Sequence, residues 1–379
     1  MDSSSTAGRA DLSNWRQSPH NQWAFVNIDK ILKTETVGKS DAPSPLPSAP
    51  RSFDDFHVPY QDSTLDLPGW IEEGHVGGLM VLQHGKALYE GYFRGNDAKS
   101  RHIVMSMTKS VTGLLLGMLQ QQGKLNVNDL VTKYVPEVSN TIYNNVTIRQ
   151  CIDMRSGAKY HDDNHEYRCA AGWNAEKGDE KFTNLHDFIS NFDPMRAEDD
   201  RFEYVSVNTD LIGWVIERAG GKKFSVLVQD LLWKPMGAES DALVAVDKEG
   251  NARAAGGLCA TLRDIARIGQ LIAEGGRGVV PSDWIKDMVE GGDLAAFAKG
   301  SWATGFQRAF QSPAYRSHWI SDSASDVTMA LGIFGQMLFV DRKNGIVMAK
   351  TASQADPYDF AMIGLTVLAF KEVQRILTS

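Results

Sequence analysis

The chain has 379 residues, 42% hydrophobic and 23% charged, the make-up of an ordinary globular protein of about two structural units. Its 39 basic and 47 acidic side chains leave a net charge of −8 with no basic block, which argues against a nucleic-acid partner. The three cysteines, Cys151, Cys169 and Cys259, form no Cys-x-x-Cys pair, the N-terminus lacks a basic head followed by an apolar run, and no apolar run reaches the ~20 residues of a membrane span, so the expectation is a cytoplasmic protein with neither a disulfide framework nor a membrane partner.

In chain order, residues 1–20 read as a polar tail, and "SPHNQWAFVNIDKIL" (18–32) begins ordered structure. "ETVGKSDAPSPLPSAPRSF" (35–53) is rich in Pro and Ser and reads as an extended connecting loop. "GGLMVLQHGKALYEGYFRG" (77–95) is two β-rich runs about a His84-Gly85 turn, a hairpin signal. From Ser106 to Gln122 the spacing is helical. Its apolar positions (Met107, Val111, Leu114, Leu115, Met118, Leu119) cover most of the circumference, so burial on nearly all sides is expected. Gly123 is the expected stop. The middle of the chain is mainly helix and loop, in stretches such as "VTIRQCIDMRS", "NTDLIGWVIERAGG" and "TLRDIARIGQLIAEGG". "QMLFVDRKNGIVMAKTAS" (336–353) gives two strands across an Asn344-Gly345 turn, and a helix over 358–377 closes the chain.

Strands thus sit at both ends of the sequence with helices between. The simplest assembly joins the two hairpins into one antiparallel sheet, lays the terminal helix across it, and leaves the helical middle as an insertion. The expected division is a tail and extended loop (1–53), a discontinuous sheet domain (54–105 with 300–379) and a mainly helical domain (106–299), with a cleft in the groove between.

The stretch "VMSMTKSVTG" (104–113) lies at that junction and places Ser106 and Lys109 one helical turn apart. Residues i and i+3 share a helix face, so the amine can reach the hydroxyl. A serine hydroxyl needs a base, and a solvated lysine, with a pKa of ~10.4, is protonated and cannot serve. Burial and the positive end of the helix dipole both lower that value. The amides of the first turn point toward developing negative charge, so the amide of Ser106 can form half an oxyanion hole. The plainer alternative stays open: serine is a favoured N-cap, and Ser-x-x-Lys arises by chance in long chains.

The order of segments resembles the serine β-lactamase and penicillin-binding-protein superfamily. Within it, the likeness is to class C β-lactamase-like proteins, family VIII-type carboxylesterases and 6-aminohexanoate-dimer (nylon oligomer) hydrolases. It covers about residues 70–375. "GLMVLQHGKALYEGYF" resembles the opening hairpin, "MSMTKSVTGLLLGMLQQQGKLNVNDLVTKYVPE" the nucleophile helix, "CIDMRSGA" the segment after it, "FEYVSVNTDLIGWVIERAGGKKF" the tyrosine loop and "AAGGLCATLRDIARIGQLIAEGG" the next loop-helix unit. "PHNQWAF" (19–25) and "AAGWN" (170–174) resemble segments of the nylon oligomer hydrolases. The resemblance implies Ser106 as nucleophile, Lys109 as its base and Tyr204 as the proton relay, seven residues before "LIG" (211–213). A phenol beside an ammonium is expected to have a lowered pKa.

Two departures from the family pattern stand out. The Asn of Tyr-x-Asn is Ser206, with Asn208 out of register. The family's Lys-Thr-Gly falls at Ala330-Leu331-Gly332, without a lysine; "KTA" (350–352) lies one strand too late. Losing that charge-assisted bond removes ~1.5–3 kcal/mol of carboxylate recognition, which argues against β-lactams but not against acyl transfer. The amide of Ile333 is the implied second oxyanion donor, Gly332 permits close backbone approach, and Trp173 is an implied pocket wall, with core packing the alternative.

Elsewhere, "HDDNHE" (161–166) spaces His161 and His165 like a metal pair, but its polarity favours a solvated loop, and no metal is expected. Gly-x-Ser-x-Gly, Walker and dinucleotide glycine patterns are absent. The reading is an α+β protein of β-lactamase-like fold, an antiparallel sheet flanked by helices with an inserted all-helical region. It would hydrolyse a small-molecule ester or amide through an acyl-enzyme, 6-aminohexanoate oligomers being one option, with no cofactor. A β-lactamase or D,D-peptidase and a catalytically silent binding protein of the same fold are the alternatives. A homodimer is left open.

Overall fold

The computed structural model describes residues 10–197 and 199–379. Strand β1 (Thr34–Val37) is followed by the extended stretch of Pro and Ser residues. Part of that stretch runs beside the first long hairpin: Ala87 N donates to Pro47 O at 2.8 Å, and Arg51 N donates to Leu88 O at 3.0 Å. It thereby covers a sheet edge that would otherwise offer free N–H and C=O groups. The hairpin is β2 (Val76–Gln83) and β3 (Lys86–Tyr92). Its turn residues His84 and Gly85 both have positive φ, +48° and +77°, the geometry that matches strand twist in a two-residue loop.

Strand β4 (His102–Ile103) leads into α1 (Met107–Gln121), in which every residue from Met107 to Leu119 is buried. Helix α2 (Ser206–Gly220) packs against it. Short strands β5 (Ala242–Ala245) and β6 (Leu258–Ala260) precede helix α3 (Leu262–Ala273). The chain ends with β7 (Pro313–Arg316), β8 (Trp319–Asp322), β9 (Val327–Gly332), β10 (Gln336–Asp341), β11 (Ile346–Ala352) and helix α4 (Phe360–Thr378).

The main sheet has the order β7–β8–β9–β10–β11–β2–β3 and is antiparallel throughout. The two hairpins join through β11 and β2, with Ile346 opposite Gln83 and Lys350 opposite Leu79. Side chains alternate between the two faces, as a period of two dictates. Leu79, Val81, Phe339 and Met348 enter one core with Phe370 and Val373 of α4. Met80, Leu82, Leu338 and Val347 enter the other with α1 and α3. Phe339 and Phe370 stack at 4.6 Å. The expected sheet, with its terminal helix across one face, is the architecture found.

The structure differs from the sequence reading in three places. The supposed tail is packed from Ala10 onward: Trp15 is buried and its Nε1 donates to Trp173 O at 3.1 Å. The helical middle carries a four-stranded sheet, β1–β5–β6–β4, which ties the N-terminal segment to residues just before Ser106. The Asn344-Gly345 turn belongs to a four-residue loop: Asp341 pairs with Ile346, and the Asp341 carboxylate closes the loop by accepting from Asn344 N at 2.9 Å and Nδ2 at 2.8 Å.

The β7–β8 turn fixes the position of α1. Ser317 and His318, both at positive φ, form it, and the Ser317 carbonyl lies where a Cβ on Gly113 would stand 2.1 Å away. Only glycine at 113 lets the main sheet approach α1 this closely.

Candidate active site

Ser106 is the N-cap residue of α1 but does not act as a cap: its backbone is helical (φ −64°, ψ −9°) and its side chain accepts no bond from the helix amides. The hydroxyl faces Lys109, whose Nζ donates to Ser106 Oγ at 3.0 Å and to Ala255 O at 2.7 Å. Met105, immediately before, sits at φ +50°, a conformation a bulky residue adopts only where its surroundings enforce it. Neighbouring polar groups supply that enforcement. Thr108 Oγ1 donates to Met105 O at 2.7 Å and accepts from Leu258 N at 3.0 Å, while Val104 N donates to Leu258 O at 2.9 Å.

Lys109 is buried, and burial lowers its pKa to about 7; the carboxylate of Asp162 pulls the other way and Arg253 adds to the lowering. Near neutrality a large share of this amine is unprotonated and able to accept a proton. The ring of Tyr204 lies 4.9 Å from Nζ, and Ser106 is a polar neighbour of its hydroxyl. Here the structure corrects an expectation. Burial, followed by the neighbouring Tyr315, raises the Tyr204 pKa well above its ordinary value, and the influence of Ser106 opposes this without prevailing. Trp302 stacks on the ring at 4.5 Å, and the amine meant to depress the phenol is only partly charged near neutrality. Tyr204 is therefore a phenol rather than a phenolate.

All seven residues singled out from the sequence line one cleft of about 980 Å³, its mouth included: Ser106, Lys109, Ser206, Tyr204, Trp173, Gly332 and Ile333. Gly332 ends β9, paired with Gln336, and Ile333 begins the turn that follows. Ser206 Oγ donates to Asp162 Oδ2 at 2.5 Å and its amide to Oδ1 at 2.9 Å, so the family's asparagine position here anchors an acid at the start of α2. Asn208 is away from the cleft; its Oδ1 accepts from Tyr143 and Ser156 at 2.8 and 3.0 Å. Trp173 is buried, edge-on to Trp15 at 5.3 Å. Lys350, of "KTA", lies on the α4 side of the sheet with Nζ bonded to Thr366 Oγ1 at 3.1 Å. Among the described residues lining the cleft, Lys109 is the one lysine.

Several cleft residues escaped the sequence reading. Asp162 sat in the segment weighed as a metal site, and Arg16 in the supposed tail. His318 shares a smaller pocket of about 220 Å³ with Ser106 and Tyr204, behind the cleft. Burial and the charge of Lys109 hold its pKa well below the usual value, so it is a neutral neighbour, not a competing base. The pair His161 and His165 does not converge; instead His165, Cys169 and Glu180 cluster. Asn174 Oδ1 accepts from Arg16, so its Nδ2 donates to His165 Nδ1 at 3.1 Å, and the Nε2 proton then points at Cys169 Sγ, 3.3 Å away. That arrangement satisfies the ring without an ion.

No helix of the described residues is long and apolar enough to cross a membrane. The chain is 30% identical over 98% of its length, and 95% of the relative's, to a 6-aminohexanoate-dimer hydrolase of Paenarthrobacter ureafaciens. Its fold is similar to that of a Bacillus anthracis protein provisionally named a 6-aminohexanoate-dimer hydrolase (TM-score 0.87, 22% identity, 98% and 99% of the two chains). It is also similar to a class C beta lactamase from Rhodobacter sphaeroides (TM-score 0.56, 13% identity, 80% and 97%). The family model described as Beta-lactamase matches residues 68–369, most of the chain. The family match over most of the chain and the relative that is 30% identical over 98% of it place the chain in the beta-lactamase family, as a serine hydrolase of that fold.

Proposed function

We propose that the protein hydrolyses an ester or amide of a small acyl compound through an acyl-enzyme on Ser106. The observation that carries this is the 3.0 Å bond between Ser106 Oγ and a buried lysine, made by a serine at a helix start that leaves the helix uncapped. The neutral amine of Lys109 takes the hydroxyl proton as Oγ attacks the carbonyl carbon. The amides of Ser106 and Ile333 stabilise the resulting oxyanion. Tyr204 passes the proton to the departing alcohol or amine. Water then adds to the acyl-enzyme, its proton returning by the same groups to Ser106, and the carboxylic acid leaves. No step calls for a cofactor.

The relative named for the 6-aminohexanoate dimer supports a linear amide as substrate. Among the described residues no second lysine lines the cleft, which counts against β-lactams, whose carboxylate that lysine would bind. Three free, buried thiols suit a reducing compartment, which favours the cytoplasm. The test is a panel of p-nitrophenyl esters, a chromogenic cephalosporin and aminohexanoate dimer, run on the wild type, Ser106→Ala and Tyr204→Phe. The expected result is ester or dimer turnover with a mass increment on Ser106, abolished in Ser106→Ala and reduced ~10²–10⁴-fold in Tyr204→Phe. Equal inertness of wild type and Ser106→Ala across the panel would make the chain a binding protein. Rapid cephalosporin turnover would make it a β-lactamase.

A further inference from the structure

One wall of the cleft is cationic, and its charges are not equivalent. Arg253 pairs with the buried carboxylate of Asp210, and Arg168 pairs with Asp163. Arg16 has no carboxylate partner among the described residues. Its Nη2 donates to Asn174 Oδ1 at 2.5 Å, and its guanidinium carbon lies 5.3 Å from the ring of Trp15 and 5.9 Å from that of Trp173. Aromatic faces and an amide hold this cation in place without neutralising it. Burial and the charge of Arg168 depress its pKa to about 10, so it stays charged at neutral pH.

Two further groups on the same wall lack partners. Trp173 Nε1 and Arg253 Nε are buried N–H groups with no hydrogen-bond acceptor among the described residues. Both are donors only. The acceptor nearest in kind, Asp162, is engaged by the hydroxyl and amide of Ser206. Buried donors are normally satisfied, so this wall is complementary to an acceptor-rich, anionic group. Arg16, Arg168, Ile333 and Tyr358 also line a second groove of about 1100 Å³, so the cationic wall lies where the cleft passes into further open space.

We propose that Arg16, backed by Arg168, is a carboxylate-binding subsite, and that the substrates are esters or amides that carry a free carboxylate remote from the scissile bond. The proposal rests on the serine-hydrolase reading for its chemistry, but binding can be read without chemistry. Monomethyl adipate, titrated calorimetrically into Ser106→Ala, should bind about 10- to 100-fold more tightly than dimethyl adipate, the gain of a charge-assisted pair. Adding Arg16→Gln should abolish that difference, and Arg16→Lys should restore part of it. In turnover by otherwise wild-type protein, the ratio of kcat/KM for mono-p-nitrophenyl adipate to that for its methyl ester should fall at least tenfold in Arg16→Gln. Equal binding of the two adipates overturns the subsite, as does a ratio that survives Arg16→Gln while both rates drop together, because Arg16 would then serve only to pack Trp15 on Trp173. Should no ester be turned over, the acyl-enzyme reading fails and calorimetry alone decides the subsite.

Discussion

Gly332 and Val104 meet backbone to backbone: a Cβ at 332 would stand 2.4 Å from the carbonyl oxygen of Val104 and 3.1 Å from the Cβ of Met105. The end of β9 is thereby pressed against the two residues that precede Ser106. The φ of Gly332 is −133°, ordinary extended backbone, so space rather than conformation demands glycine there.

Gly332→Ala should therefore push the Ile333 amide away from Ser106 without disturbing strand geometry elsewhere. The cost expected for misplacing an oxyanion donor is ~10²–10³ in kcat. Steady-state kinetics with a p-nitrophenyl ester, alongside a circular dichroism spectrum matching wild type, would measure it. Activity within twofold of wild type would remove Ile333 from the oxyanion role.

With Lys109 as the proposed base, its depressed pKa predicts the pH dependence. The amine must be neutral to accept the serine proton, so kcat/KM should rise with pH and level off above about 7, falling tenfold per unit on the acid side. Asp162 favours the ammonium form; its removal in Asp162→Asn lowers the amine pKa further and should move the acid limb to lower pH. Rate profiles of both proteins between about pH 5 and 9 at constant ionic strength would show this. A limb shifted upward in Asp162→Asn would mean that Lys109 is not the titrating group.

Much of this site can be read in the sequence because it is built from local signals. The helix after Ser106 announces itself by periodicity, both long hairpins by turn residues between β-rich runs, and the Ser106–Lys109 pair by helical spacing. What escaped depends on contacts distant in the chain. Ala242–Ala245 pairs with Thr34–Val37, and nothing local marks a four-residue strand whose partner lies two hundred positions away. Trp15 and Arg16 sit in polar sequence and look like tail until Trp173 packs on them. The direction of the Tyr204 shift was misread because adjacency to an amine is visible in a motif, whereas the burial that outweighs it under Trp302 is not. Asp162 was noticed for its histidine neighbours, when its partner is Ser206, 44 residues on.

The second buried lysine gives a test on stability alone. Lys350 lies in β11 between Met337 and Leu79, fully buried, with Thr366 Oγ1 at 3.1 Å and the Trp70 ring at 5.7 Å as its polar company. Burial lowers its pKa from 10.5 to about 7. Between those values the unfolded chain holds a proton on this amine that the folded protein does not, so folding stability rises with pH by about 1.4 kcal/mol per unit across that window, from this group alone. Below about 7 the charge is retained and the full penalty applies. Methionine has similar length and no charge to desolvate, so Lys350→Met should be more stable than wild type. The gap should be widest at and below pH 7 and should close toward 10.5. Urea unfolding of both proteins at pH 7 and about pH 9 measures it. A destabilised variant, or a gap independent of pH, would mean that Lys350 keeps its proton in the folded protein and that the Thr366 and Trp70 contacts sustain a buried ammonium.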